Sequence, residues 1–348
     1  MNYIGIDDFD FTLPDELIAQ NPLANRLKAK MLVVDNKQVI DSEVNNVCDY
    51  LLPNDLIIFN NTKVIPARLV GYKNDAKINI TLHYKLNNYQ WLAFVKNSKR
   101  LKANDIVVIN ENFKIVVLEK LDTGEVKLSL PYDNIFELLE KYGYLPLPPY
   151  IKRDNINNKD DKDNYQSIFA KEQGAVASPT ASLHFTQELI ARIKEKNVKI
   201  EFITLHVGAG TFLPVKTENI LEHTMHKEYG SISQQTIDSI LQAKRNGGRV
   251  IAIGTTVLRT LEYIGLAVND YNSIKPFSGE IDLFIYPSFE FKVVDCLLTN
   301  FHLPKSTLFM LVSAFAGLQN MKDVYNHAIH NQYRFFSYGD CCFLNKLK

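Results

Sequence analysis

Between Gly71 and Leu130 the apolar residues come in short runs parted by turn residues: "KINITLHY", "QWLAFV", "DIVVIN", "FKIVVLEKL" and "EVKLSL". Runs of this length, with no helical period among them, predict five or six short strands, and their even spacing predicts a small antiparallel β-barrel. Outside this stretch the pattern changes. Asp55 to Phe59 reads as an apolar strand running into Asn60-Asn61-Thr62-Lys63. From Tyr165 onward strands alternate with helices: a helix over Thr186 to Asn197 with Leu189, Ile190 and Ile193 on one face, and a buried strand over Ile200 to Leu205. Ser233 caps a helix carrying Ile237, Ile240 and Leu241, which Gly247-Gly248 ends. A strand over Arg249 to Ile253 passes through Gly254-Thr255-Thr256 into a helix over Val257 to Ile264. Val293 to Leu298 forms another strand, followed by Thr299-Asn300-Phe301-His302 and an amphipathic helix opening at Pro304-Lys305-Ser306-Thr307. The fold class is therefore α/β. A mixed-sheet main domain, 1–70 and 142–348, carries a β-barrel inserted at 71–141, which rejoins it near a helix over Asn134 to Lys141.

Two segments follow neither period. "YGYLPLPPYIKR", Tyr142 to Arg153, is too rich in proline for helix and is expected to run extended. Asp154 to Asn164 lacks the glycine and the closing glutamate of a calcium loop, so a flexible solvated loop is expected.

Charge and cysteine usage narrow the function classes. The 348 residues hold 39 basic and 39 acidic side chains, so no bulk field draws nucleic acid or an anionic membrane. A polyanion must be met by a local patch. Lys96, Lys99, Arg100 and Lys102 in the β region form one cluster, and Arg26, Lys28 and Lys30 another; each also fits a plain solvated face. Cys48, Cys296, Cys341 and Cys342 have neither metal-knuckle nor redox spacing, which fits a reducing cytoplasm. The acidic opening "MNYIGIDDFDF" lacks the order of a secretion signal, and the longest apolar stretch is about half the ~20 residues a membrane span needs.

Four polar turns follow expected strands: Asn60 to Lys63, His206 to Thr211, Gly254 to Thr256 and Thr299 to His302. Carboxyl ends of strands in open α/β sheets are where ligands bind, so the four turns can line one crevice, although each string alone also fits a tight turn. Gly208 and Gly210 let a backbone approach a ligand, and the hydroxyls of Thr211, Thr255 and Thr256 can orient sugar or base edges. "GAGTF" is no dinucleotide fingerprint, and there is no Walker-type lysine. His184, His206, His223, His226 and His302 crowd the second half. "HTMH" lacks the HExxH spacing, so acid–base or orienting work is expected rather than a metal. "YRFFSYGD" near the end reads either as part of the core or as a platform for stacking bases.

In order along the chain stand "DFDFTLPDELIAQNPL", "NNTKVIPARL", "YGYLPLPPYI", "SPTASLHFT", "TLHVGAGTFLPV", "HTMHKE", "GGRVIAIGTT", "DLFIYP", "LLTNFHLPKSTL" and "RFFSYGD". Together they resemble the S-adenosylmethionine:tRNA ribosyltransferase-isomerase family of queuosine biosynthesis, over nearly everything outside the β insert. The resemblance implies transfer of the ribosyl part of S-adenosylmethionine to 7-aminomethyl-7-deazaguanine at the tRNA wobble position. Epoxyqueuosine in tRNA, adenine and methionine would be the products. It also implies a monomer that uses no metal and no cofactor, S-adenosylmethionine being consumed as a substrate.

The chemistry calls for a base, for which His206 or His302 is suited, and for a carboxylate, Asp282 or Glu228, that orients it or steadies the sulfonium. Candidate substrate contacts are Thr62, Arg68, Thr180, His184, Gly208, Gly210, Thr211, His226, Thr255, Thr256 and Asn300. The lysines and arginine of the β region are the candidate tRNA phosphate contacts. The chain departs from the family pattern at Ser178, Ser182 and Ser288: the first replaces the usual Ala, the other two Gly. It also lacks the usual Ser after Thr256. These departures leave room for a second class, a non-catalytic RNA-binding protein whose β insert grips tRNA.

Overall fold

The computed structural model describes residues 3–35, 38–130, 135–153, 159–208, 210, 215 and 217–347. Its main sheet has nine strands in the order β15 (Phe277–Ile281), β13 (Glu228–Ile232), β12 (Lys199–His206), β3 (Leu56–Asn60), β14 (Val250–Ile253), β16 (Cys296–Asn300), β17 (Cys341–Asn345), β1 (Lys30–Asp35) and β2 (Gln38–Glu43). The four central strands, β12, β3, β14 and β16, are parallel, and antiparallel pairs flank them. The central strands are apolar on both sides because both faces are covered. In β3, Leu56 and Ile58 face one core while Ile57 and Phe59 face the other, and β14 divides Val250 and Ala252 from Ile251 and Ile253 in the same way.

On the first face pack α4 (Gln234–Arg245), α5 (Thr255–Leu266), α6 (Thr307–Ala316) and α7 (Leu318–His330); on the second lies α3 (Gln187–Glu195). Each helix start is legible in sequence where a hydroxyl caps it. Thr186 accepts the Leu189 N–H, Ser233 that of Thr236 and Ser306 that of Phe309.

The inserted strands close into an antiparallel barrel, β10 (Val126–Ser129), β7 (Gln90–Lys96), β6 (Ala76–Lys85), β5 (Arg68–Lys73), β8 (Ile106–Asn110) and β9 (Phe113–Lys120), filled by Trp91, Phe113, Ile80, Val107 and their neighbours. The α/β fold with an antiparallel barrel is thus the fold observed. The barrel's two ends meet: Arg68 and Tyr144 exchange backbone hydrogen bonds of 3.0 and 2.8 Å, just past the short helix α1 (Phe136–Tyr142). A two-stranded ribbon, β4 (Thr62–Val64) with β11 (Glu172–Ala175), bridges barrel and sheet.

One local expectation changes, and one open alternative is narrowed. Lys159–Asn164, expected as part of a solvated loop, forms a short helix, α2, with Asp160 and Asp161 at its positive end; Asp161 takes two 2.8 Å bonds from Arg153. Residues 154–158 lie outside the described ones. In "YRFFSYGD" Tyr333 and Phe335 are core, packing on Phe301 with ring centres at 5.7 and 5.0 Å, while Phe336 borders a cavity. No helix among the described residues is long and apolar enough to cross a membrane.

Candidate functional site

Because β14 and β16 are parallel neighbours, Gly254 with the first residues of α5, Thr255 and Thr256, lies beside the end of β16; Thr299 and Asn300, expected in a turn, are the last residues of that strand, and Phe301 and His302 follow it. They wall a cavity of about 680 Å³, completed by Ser178-Pro179-Thr180, Tyr150, Val207, Phe336 and the start of α6. Gly254 sits at φ 92°, a conformation only glycine adopts without strain, and starts α5 with no side-chain cap. The first-turn N–H groups of α5 therefore keep no partner within the helix. Phe336 is held at φ 70°, its carbonyl accepting the Asn300 amide at 3.0 Å and its N–H bonded to the Phe301 carbonyl.

The polar atoms around this cavity are unusual in what they lack. Ser178 Oγ, Thr256 Oγ1, Asn300 Oδ1 and Arg259 Nη2 are all buried with no hydrogen-bond partner among the described residues. Buried polar groups are ordinarily paired, so four orphans around one cavity mark a place where a ligand supplies the partners. His302 lies in the same wall, its Nε2 3.1 Å from Thr299 Oγ1 and its main-chain N–H donating to the Tyr325 hydroxyl at 2.9 Å. Burial pushes its pKa down to about 3, so the imidazole is neutral at physiological pH.

Arg259 and Glu228 form a buried ion pair, Nη1 to Oε2 at 2.8 Å, with both side chains 3% exposed. Arg259 Nε donates to the Leu283 carbonyl, and Glu228 Oε1 accepts the Gly208 N–H at 3.2 Å. The expected carboxylate Glu228 thus anchors an arginine of the cavity wall and reaches back to the glycine turn.

A second polar cluster faces the barrel. His206 Nδ1 is 2.8 Å from Thr62 Oγ1, and the ring lies nearly parallel to Tyr229. Burial also lowers the His206 pKa. A Cβ on Gly174, at φ 151°, would stand 2.9 Å from the His206 ring, and one on Gly210 would stand 2.7 Å from that of His226. Gly208 packs against the main chain of His83 in the barrel. The His83 imidazole lies 2.7 Å from Glu125 and holds that carboxyl down to about 2.

Of the four segments expected as polar turns, two share the cavity and Val207 represents a third; Thr62, from the remaining one, lies on β4 and meets His206, the last residue of β12. Thr180, Thr255, Thr256, Asn300 and His302 come together there. His184 lines a separate small crevice with Arg26 and Tyr338, its pKa pushed down to about 4 by burial and then by the Arg26 charge. Arg68 sits in the first barrel strand, Asp282 is exposed and outside the cavity lining, and Thr211 lies outside the described residues. Lys96, Lys99, Arg100 and Lys102 are all exposed on the barrel. In the other basic cluster Arg26 donates to the carbonyls of Leu183 and Asn164, and Lys30 to that of Asn331. Sequence reasoning passed over Arg259. The signal for Arg259 was a basic residue in the mostly apolar run "TTVLRTLEYIG", one turn after Thr255, where Glu262 is the other charge.

The model of the queuosine biosynthesis protein family matches residues 6–344. The chain belongs to that family. It is an enzyme of queuosine synthesis, of the transferase–isomerase class. S-adenosylmethionine:tRNA ribosyltransferase-isomerases of Rickettsia bellii and Zymomonas mobilis are each 48% identical to it, covering 98% and 97% of this chain and 99% and 98% of their own. The crystal structure of S-adenosylmethionine tRNA ribosyltransferase from Thermotoga maritima superposes with a TM-score of 0.56 at 33% identity, over 97% of this chain and 99% of that one.

The departures from the family pattern acquire places. Ser288 stands at φ 86°, where glycine would be unstrained; Ser178 lends an unpaired hydroxyl to the cavity; and Ser182 is fully buried with its hydroxyl unpaired.

Proposed function

We propose that this enzyme, acting as a cytoplasmic monomer without metal or cofactor, transfers and isomerises the ribosyl group of S-adenosylmethionine onto 7-aminomethyl-7-deazaguanine at the tRNA wobble position. The products are epoxyqueuosine in tRNA, adenine and methionine. The observation that carries the reading is the cavity at the ends of β14 and β16, where hydroxyls, an amide and a neutral imidazole surround a space of about 680 Å³. In this reading it holds S-adenosylmethionine. Threonine hydroxyls and backbone amides suit adenine, which must be bound and later released.

The sulfonium acidifies the hydrogens on the neighbouring 5′ carbon. A neutral imidazole can remove one to give an ylide, after which the ribose ring opens and adenine leaves, taking its proton from the imidazolium so formed. His302 touches the cavity, while His206 faces the barrel, from which a tRNA base would approach. Supplying S-adenosylmethionine labelled in the ribose, with tRNA bearing the aminomethyl base, is expected to move label into tRNA and release adenine. Transfer from the methyl group alone would instead indicate a methyltransferase. Tight tRNA binding with no adenine release would overturn this account of the reaction.

A further inference from the structure

We propose that Arg259 and the N-terminus of α5 form a carboxylate subsite that takes the α-carboxylate of the methionyl part of S-adenosylmethionine. The proposal rests on the reading of the cavity as the S-adenosylmethionine site. Its first support is the uncapped start of the twelve-residue helix α5, a partial positive charge with free N–H donors. Its second is independent. The Arg259 guanidinium, 3% exposed, spends Nη1 on Glu228 and Nε on the Leu283 carbonyl and leaves Nη2 in the cavity wall with no partner among the described residues. Thr255, Thr256 and Arg259 lie three and four residues apart, so helical geometry puts the free donors, the unpaired Thr256 hydroxyl and the guanidinium on one face.

The sign of the charge follows from the lining. No Asp or Glu is among the described residues of the cavity wall, and the other cation there, Lys305, is occupied by Asp7 and Asp10. Glu228 already balances the single charge of Arg259, so the subsite offers the Nη2 donor and the partial charge of the helix start rather than a free cation, which suits a singly charged guest rather than a multiply charged one. A tRNA phosphate, carried on a polymer, would have to bury itself to reach a guanidinium this enclosed. A small substrate that fills the cavity reaches it directly, and S-adenosylmethionine carries one carboxylate.

The test is calorimetric titration of the full-length protein with S-adenosylmethionine and with its decarboxylated analogue, which keeps the sulfonium, ribose and adenine. The wild type should prefer S-adenosylmethionine by about 10- to 100-fold, the range for charge-assisted hydrogen bonds. In the double variant Glu228→Gln/Arg259→Gln, which avoids leaving a lone buried charge, the preference should vanish. Arg259→Lys keeps the partner of Glu228 but shortens the reach, and it should shrink the preference even if the double variant fails to fold. Equal binding of both ligands by the wild type overturns the subsite alone, as does a full preference surviving in Arg259→Lys or in the folded double variant. Binding of neither ligand by the wild type removes the reading of the cavity as the S-adenosylmethionine site, and the subsite with it.

Discussion

Two buried histidines should make this protein sensitive to mild acid in a way that can be assigned residue by residue. His302 and His184 start from an ordinary pKa of 6.5, and burial pushes them to about 3 and about 4 in the folded state. The unfolded chain therefore takes up protons that the folded chain refuses. Stability from each histidine is whole above pH 6.5 and drains away as the pH falls toward the folded values. Between pH 7 and pH 5 the unfolded imidazole gains about 2 kcal/mol of protonation free energy that the native one does not, hence about 4 kcal/mol for the pair. Urea unfolding followed by far-ultraviolet ellipticity at the two pH values measures it for the wild type, His302→Gln, His184→Gln and the double variant. Each single replacement should remove about 2 kcal/mol of the stability lost between pH 7 and pH 5, whatever it does to stability at pH 7. If the double variant loses as much stability between pH 7 and pH 5 as the wild type, the two imidazoles are not held neutral and the reasoning fails.

Ser288→Gly should raise the melting temperature by the equivalent of about 1 kcal/mol, since it relieves a side chain at φ 86°; an unchanged or lower melting temperature would deny that strain. Thr256→Val should act with opposite signs on the two states. Removing a buried unpaired hydroxyl raises the melting temperature of the free protein, while S-adenosylmethionine binding, read by calorimetry, weakens by about 0.5–1.5 kcal/mol. Lys99→Ala with Arg100→Ala should weaken tRNA binding and flatten the plot of log affinity against log salt by roughly 0.7–0.9 for each phosphate that is no longer neutralised. S-adenosylmethionine affinity should stay as it was; an unchanged slope would take these two side chains off the tRNA.

The sequence by itself determined the elements. Doubly apolar runs marked β3 and β14, short even-spaced strands marked the barrel, and Thr186, Ser233 and Ser306 announced three helix starts. It also put threonines, an asparagine and a histidine in the turns after strands, because a turn's chemistry is written in neighbouring residues. Which turns share a cavity was decided by strand order, and strand order is set by crossovers that no local period encodes. Thus the turn after β14 joins the turn after β16, whereas Thr62 finds His206, 144 residues away, on the side facing the barrel. Arg259 looks like a stray charge in an apolar helix until Glu228, on β13, 31 residues earlier, is folded against it. The short helix α2 was equally hidden, because its acidic sequence carries no apolar stripe and its key contact is the guanidinium of Arg153. Periodicity reports which side of an element is buried; only tertiary packing decides which polar group is left there without a partner.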